Sequence, residues 1–250
     1  MAGSYDVIRY GRMLPTAGAI IVMQAIVCGL AALPVVVVWQ WLDVAHMTPA
    51  MRPLVISALI MPSYAVFALF LVLISPIVNR LTRTRSPDQI TVRLTGLEPP
   101  LLRWMRYVVS IYVVRVFAGT LLRGTPLWTA YLRWNGARIG RGVFINTLAI
   151  TDHNLLSIGD NVVIGADVHM GGHTVEGGLL KTARVTIGDD VTIGVGSVID
   201  IGVRIGAGAQ VGALSLVTKF MTLEGNTTYV GIPAVPLIRS AGQRPDVTAT

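Results

Sequence analysis

The first third of the chain alternates long apolar runs with short charged flanks. Residues 16–42 and 54–78 contain no Asp, Glu, Lys or Arg and are rich in Ile, Val, Leu and Ala. Each exceeds the roughly 20 apolar residues that carry a helix across a bilayer. A soluble core helix of that length would keep one polar face, and these have none. The pattern predicts a hairpin of two transmembrane helices. Pro34, Pro62 and Pro76 fall inside the runs, and spanning helices tolerate such interruptions. Trp39 and Trp41 lie near one end of the first run, where an interfacial aromatic belt belongs. The first run is too long for a cleaved signal peptide and is followed at once by a second.

The flanks set an orientation. Arg9 and Arg12 precede the first run, and Arg80, Arg83 and Arg85 follow the second, whereas the 43–52 linker carries one Asp and one Arg. The positive-inside rule places both termini in the cytoplasm.

A third apolar run, 101–122, contains Arg103, Arg106 and Arg115. An Arg near the middle of a spanning helix costs about 2.5–3.5 kcal/mol on insertion scales. The pattern suits an interfacial helix whose arginines reach toward headgroups. A helix packed on the domain that follows is the alternative. Pro99 and Pro100 mark its start and Gly124 its end.

From Gly136 onward the period changes to six. Ile187, Ile193, Ile199, Ile205 and Val211 follow one another at that step, four of them with Gly next. Ile139, Ile145, Ile158, Ile164 and Met170 share the rhythm in two shorter runs. A period of six is neither the 3.6 of a helix nor the 2 of a simple strand. It marks a hexapeptide parallel β-helix, in which each hexad makes one flat side of a triangular coil and three sides close a turn. The aliphatic residue fills the coil, and Gly, Asp and Asn, including Asp160, Asp189 and Asp190, take the corners. The phase breaks between Ile145 and Ile158, around Asp152 and His153. It breaks again between Met170 and Ile187, where 171–184 reads GGHTVEGGLLKTAR. Insertions in a solenoid become loops on one face, often the binding face. This one holds His173, Glu176 and Lys181.

Composition agrees with that division. Of the residues, 53% are hydrophobic and 13% charged, with a mean hydropathy of +0.65, which excludes a disordered chain. Cys28 is the only cysteine, so no intramolecular disulfide framework or Cys-rich metal site exists. The net charge of +7 is concentrated. Residues 80–141 hold eleven arginines against Asp88 and Glu98. Such a band fits anionic lipid headgroups or an acidic partner. No nucleic-acid motif accompanies it, so nucleic acid is not expected. The chain divides into an N-terminal flank and hairpin (1–79), an arginine-rich connector with the interfacial helix (80–135), the β-helix (136–238) and a tail (239–250).

The hexads, the His-bearing loop and the ending Val217-Thr218-Lys219 … Gly231-Ile232-Pro233-Ala234 resemble the left-handed β-helix acyltransferases. The likeness is greatest to the membrane-embedded C-terminal module of poly-amino-acid synthetases of the polylysine type. It is carried by Arg123 to Pro126, Gly136 to Ile145, Ile158 to Asp160, His173 to Lys181 and Val211 to Pro233. The resemblance implies a homotrimer with six transmembrane helices, in a bacterial inner membrane. It implies transfer of an acyl or aminoacyl group from a thioester, on coenzyme A or a phosphopantetheine carrier, to an amine or hydroxyl.

Residue by residue, the resemblance makes His173 the general base, a role suited to imidazole near neutral pH. Glu176 matches an acid that orients that histidine or binds the acceptor ammonium. Lys181 matches a lysine, and with Asp152 is read as substrate-binding. Gly194, Ala213, Thr218, Lys219 and Arg239 match positions that hold coenzyme A. Gly177 and Gly178 depart from the charged residues usual in those modules. An adenylating segment or carrier does not fit in 250 residues. The activated acyl group is therefore expected from a carrier protein or adenylating synthetase. Two rival readings are a non-catalytic trimeric scaffold and a β-helix zinc enzyme using His153, His169 and His173. For the latter, Ala166 and Gly171 occupy expected ligand positions, and no metal is expected.

Overall fold

A computed structural model describes residues 2–42 and 46–237. Helix α1 (Ala2–Trp41) and helix α2 (Met51–Leu81) form a hairpin. α1 begins well before the apolar run at residue 16, and neither Pro15 nor Pro34 breaks it. Trp39 Nε1 donates to Ser63 Oγ at 2.9 Å, tying the two helices together. Aliphatic side chains such as Leu14, Ile21, Leu54 and Met61 remain exposed along their outer faces.

Helix α3 (Pro99–Leu122) is continuous apart from a π-helical turn at Arg115–Gly119. Among the described residues, three helices are long and apolar enough to cross a membrane: Met13–Trp41, Met51–Leu81 and Pro99–Leu122. α3 differs from the other two in what it touches. Trp104, Tyr107 and Ile111 face the base of the C-terminal domain, and Ser110 faces α2. The packed alternative for this run is therefore what the structure displays. A buried polar seam joins the helices: Ser110 Oγ donates to Asn79 Oδ1 at 2.8 Å, and Asn79 Nδ2 to Asn135 Oδ1 at 3.0 Å.

Helix α4 (Pro126–Trp134) caps the first coil. Thr125 is its N-cap, accepting from the Trp128 N–H, and Pro126 opens the first turn. Trp128 stacks on Tyr131 and donates to the Thr147 carbonyl at 3.0 Å.

The rest is a three-sided parallel β-helix. One face stacks Ile139, Ile158, Ile187, Ile205 and Leu223 in register. The second stacks Ile145, Ile164, Ile193, Val211 and Tyr229. The third stacks Ile150, Met170, Ile199 and Val217. All except Tyr229 are aliphatic, and all but the half-buried Ile139 are buried inside the coils. Corners turn through left-handed residues such as Asn161, Asp167, Asp190 and Asn226, types that adopt this region at little cost. Aspartates also bind coil to coil: Asp189 accepts from the Asp160 N–H, and Asp160 from the Arg141 N–H, each at 2.7 Å. The glycine before each such Asp lets the next coil approach. At Gly159 a Cβ would stand 2.7 Å from the backbone of Gly188 and Asp189.

Candidate active site

The phase-breaking segment 171–184 leaves the corner after Met170 as a β-hairpin. Its strands, His173–Glu176 and Leu179–Thr182, pair antiparallel. Gly177 and Gly178, both at positive φ, make the two-residue turn. The register sets His173 opposite Thr182 at the base and Glu176 at the tip.

Three contacts fix this hairpin. Strand Thr91–Arg93, from the linker between α2 and α3, pairs along its outer edge. Leu180 is fully buried with Val92, Leu97 and Leu101 in a small separate core. Thr182 Oγ1 donates to the Pro87 carbonyl at 2.8 Å. At the base, Gly171 and Gly172 let the hairpin close on the preceding coil. A Cβ at 172 would lie 2.7 Å from Leu155 Cβ and 3.1 Å from Asp152 Cβ.

That approach brings His173 Nδ1 to 2.5 Å from Asp152 Oδ2. Asp152 is fully buried and sits at φ 51°. Its Oδ1 accepts from Ser86 Oγ at 2.5 Å and from Trp104 Nε1 at 3.2 Å. Thr151 Oγ1 donates to Oδ2 at 3.0 Å. Burial alone would push the carboxyl up. The hydrogen bond and charge of His173, with the bonds from Ser86 and Thr151, outweigh it and hold Asp152 below the ordinary carboxylate range. The His173 ring packs edge-on to Trp104, with centroids 4.9 Å apart. Its side chain is 24% exposed. A carboxylate at Nδ1 selects the tautomer with the proton there and leaves Nε2 as an acceptor. The arrangement can take a proton at Nε2 and stabilise the resulting imidazolium.

The other residues singled out in the sequence sit as follows. Asp152, read as substrate-binding, is sealed from solvent with both oxygens occupied. It holds the orienting place that the resemblance implied for Glu176. The Glu176 carboxylate is at the hairpin tip instead, where it meets Lys219 and, at 3.8 Å, Lys181. Thr218 and Lys219 turn the same prism edge as the hairpin, two coils further on. Gly194 and Ala213 stack at a different edge, the corner after the second face. Arg239 lies outside the described residues. The three histidines of the zinc reading do not converge. His153 is sealed between Tyr107 and Tyr131, and His169 is exposed on its strand. Among the described residues no group of three or more His, Cys, Asp and Glu is placed to share a metal ion.

Ser86, Trp104 and Asn154 had no signal in the sequence. Asn154 clamps the linker through Ser86, donating to its carbonyl at 2.8 Å and accepting from its N–H at 3.2 Å. Arg184 adds an ion pair to Asp88 at 2.9 Å. The segment leaving α2 is thus laced to the base of the hairpin.

Residues 156–176 and 184–219 match the family described as the hexapeptide repeat of succinyl-transferase. A delta-poly-L-ornithine synthetase from Acinetobacter baumannii is 33% identical over 117 residues, which are 47% of this chain and 9% of the synthetase. The chain therefore spans about a tenth of the length of that curated relative. Among solved structures, a hexapeptide-repeat acetyltransferase from Vibrio cholerae O1 biovar eltor, complexed with acetyl coenzyme A, is 31% identical. It aligns over 41% of this chain and 60% of that one, with a TM-score of 0.38. A galactoside acetyltransferase in complex with coenzyme A is 21% identical over 45% and 69%, with a TM-score of 0.37. A serine acetyltransferase from Neisseria gonorrhoeae is 23% identical over 72% and 56%, also at 0.37. Residues 156–176 and 184–219 thus carry the hexapeptide repeat, and the likeness to poly-amino-acid synthetases is matched by a curated protein of that class.

Proposed function

We propose that the protein is a membrane-anchored acyltransferase that moves an acyl or aminoacyl group from a thioester to an amine or hydroxyl. The observation that carries this reading is the Asp152–His173 pair, placed at the base of an insertion in a hexapeptide β-helix. His173 Nε2 takes the proton of the acceptor as its N or O attacks the thioester carbonyl carbon. The tetrahedral intermediate collapses by breaking the C–S bond, and the proton passes from Nε2 to the departing sulfur. Asp152 keeps the ring oriented throughout and stabilises its charged form. Cys28 is in α1, remote in sequence from this chemistry, so direct transfer is preferred to an acyl-cysteine intermediate.

The donor is a thioester of coenzyme A or of a phosphopantetheine carrier. The Gly194–Ala213 corner and the His173–Lys219 corner are different edges of one prism. A donor lying along the first would meet the dyad of a second copy, which favours a homotrimer. The arginine band would receive an acidic carrier or synthetase. α1 and α2 cross the bacterial inner membrane with both termini cytoplasmic, and α3 packs between them and the β-helix.

The test is transfer by the purified full chain in detergent. Acyl-coenzyme A and a carrier-bound aminoacyl thioester are offered with amine and hydroxyl acceptors, and product is read by mass spectrometry. Product is expected with the wild type, and His173→Ala should lower its rate about 10²–10⁴-fold, as for a positioned general base. An unchanged rate removes His173 from the reaction.

A further inference from the structure

α3 has two opposed stripes. Trp104, Tyr107 and Ile111 point to the β-helix. At 100° per residue, Leu102 and Arg106 fall on the other side of the helix and Arg103 on its flank. They line a cleft of about 590 Å³, whose facing wall is Gly11, Pro15 and Ala19 of α1. This volume is within the roughly 300–1,000 Å³ usual for small-molecule sites. The wall is made of small residues, apolar apart from Thr16 beside them. Among the described residues, the arginines are the only charged groups lining it.

Arg106 Nε is buried and has no hydrogen-bond partner among the described residues. Leaving a charged donor unpaired away from water is costly, so an acceptor is missing. Arg103 stands one turn away and is exposed at the mouth. Two guanidinium groups above an apolar slot match a phosphate attached to hydrocarbon, because the planar fork fits phosphate oxygens. The slot opens beside the apolar part of α1, from Met13 onward.

We infer that this cleft binds the headgroup phosphate of an anionic bilayer phospholipid, which clamps α1 to α3. The site is on the face of α3 opposite the dyad, so its occupant anchors the helix and is not the acyl acceptor. The inference rests on the reading that α1 and α2 span a bilayer, and carbonate extraction of membranes reports on that reading separately.

The test uses the full chain, delipidated in detergent and titrated with short-chain phosphatidylglycerol or phosphatidylcholine by native mass spectrometry. One phosphatidylglycerol per chain is expected to be retained, at least ten-fold more tightly than phosphatidylcholine. Arg103→Gln with Arg106→Gln should abolish that preference. Arg123→Gln, at an exposed arginine paired with Asp167, should leave it intact. Equal retention of the two lipids, or a preference that survives the double variant, overturns the inference. So does inorganic phosphate competing as strongly as the lipid, because a phosphate site would then need no hydrocarbon.

Discussion

Four donors converge on the Asp152 carboxylate: His173, Ser86, Trp104 and Thr151. They come from the hairpin, the linker after α2, α3 and the neighbouring residue, so the dyad is held by three elements that are distant in sequence. His173 was legible in the sequence because a histidine inside a break of the six-residue rhythm stands out from a solvated loop histidine. Asp152 was half legible, as an acid in the other break. Its partners were not. Ser86 is 66 residues away and Trp104 is 48, and neither a serine in a linker nor a tryptophan in an apolar run carries a local pattern. The resemblance implied that Glu176 orients His173 or binds the acceptor ammonium, but strand alternation and the hairpin register carry it to the tip.

Next to the dyad, His153 is fully buried, and burial first of all lowers its pKa from 6.5 to about 4. The unfolded chain takes up a proton at this residue between those values and the folded chain does not. Stability therefore falls as pH drops from 6.5 toward 4, by something on the order of 3 kcal/mol. The Asp152 contribution is lost only further down, as pH falls through its lowered value. Thermal unfolding of the detergent-solubilised protein should show the midpoint falling across pH 6.5 to 4.5, with a flatter profile for His153→Leu. Parallel profiles would take His153 out of that window.

At the scale of elements, the β-helix was fully announced by its period. Every aliphatic hexad residue from Ile139 to Val217 faces the interior, because a one-residue slip would turn the set outward. The hairpin's docking was hidden, since it depends on strand Thr91–Arg93, three residues with no signal of their own. α3 was ambiguous for a physical reason. Trp104 and Ile111 serve the β-helix and Leu102 and Arg106 the α1 side, and hydropathy averages the two. Coil stacking makes a sharp stability prediction. Gly159→Ala forces a methyl into the backbone of Gly188 and Asp189 and should cost about 1–3 kcal/mol. Gly29→Ala in α1 meets nothing within 4 Å and should be neutral or stabilising. Thermal midpoints of the two variants compare them directly, and equal midpoints would contradict close stacking.

At the scale of the whole molecule, the hairpin and the β-helix share one continuous core. Val27, Ala31, Leu71 and Val72 of the helices join Trp128 and the coil residues in it. The Asp152–His173 pair is thereby tied to the helical hairpin through Ser86 and Trp104. The topology has a direct readout. With Cys28 replaced by Ser, Thr48→Cys in the exposed linker should react with an impermeant maleimide in intact cells. Reaction only after permeabilisation would place the linker, and with it the β-helix, on the other sides.

The central claim is that Asp152 and His173 act as one unit in acyl transfer. It is tested most directly by the transfer rates of wild type, Asp152→Asn, His173→Ala and the double variant, all checked for retained folding. The account predicts that each single change lowers the rate and that the double variant is no slower than His173→Ala alone, because groups acting together are not additive. A wild-type rate in Asp152→Asn, or losses that multiply in the double variant, would contradict it.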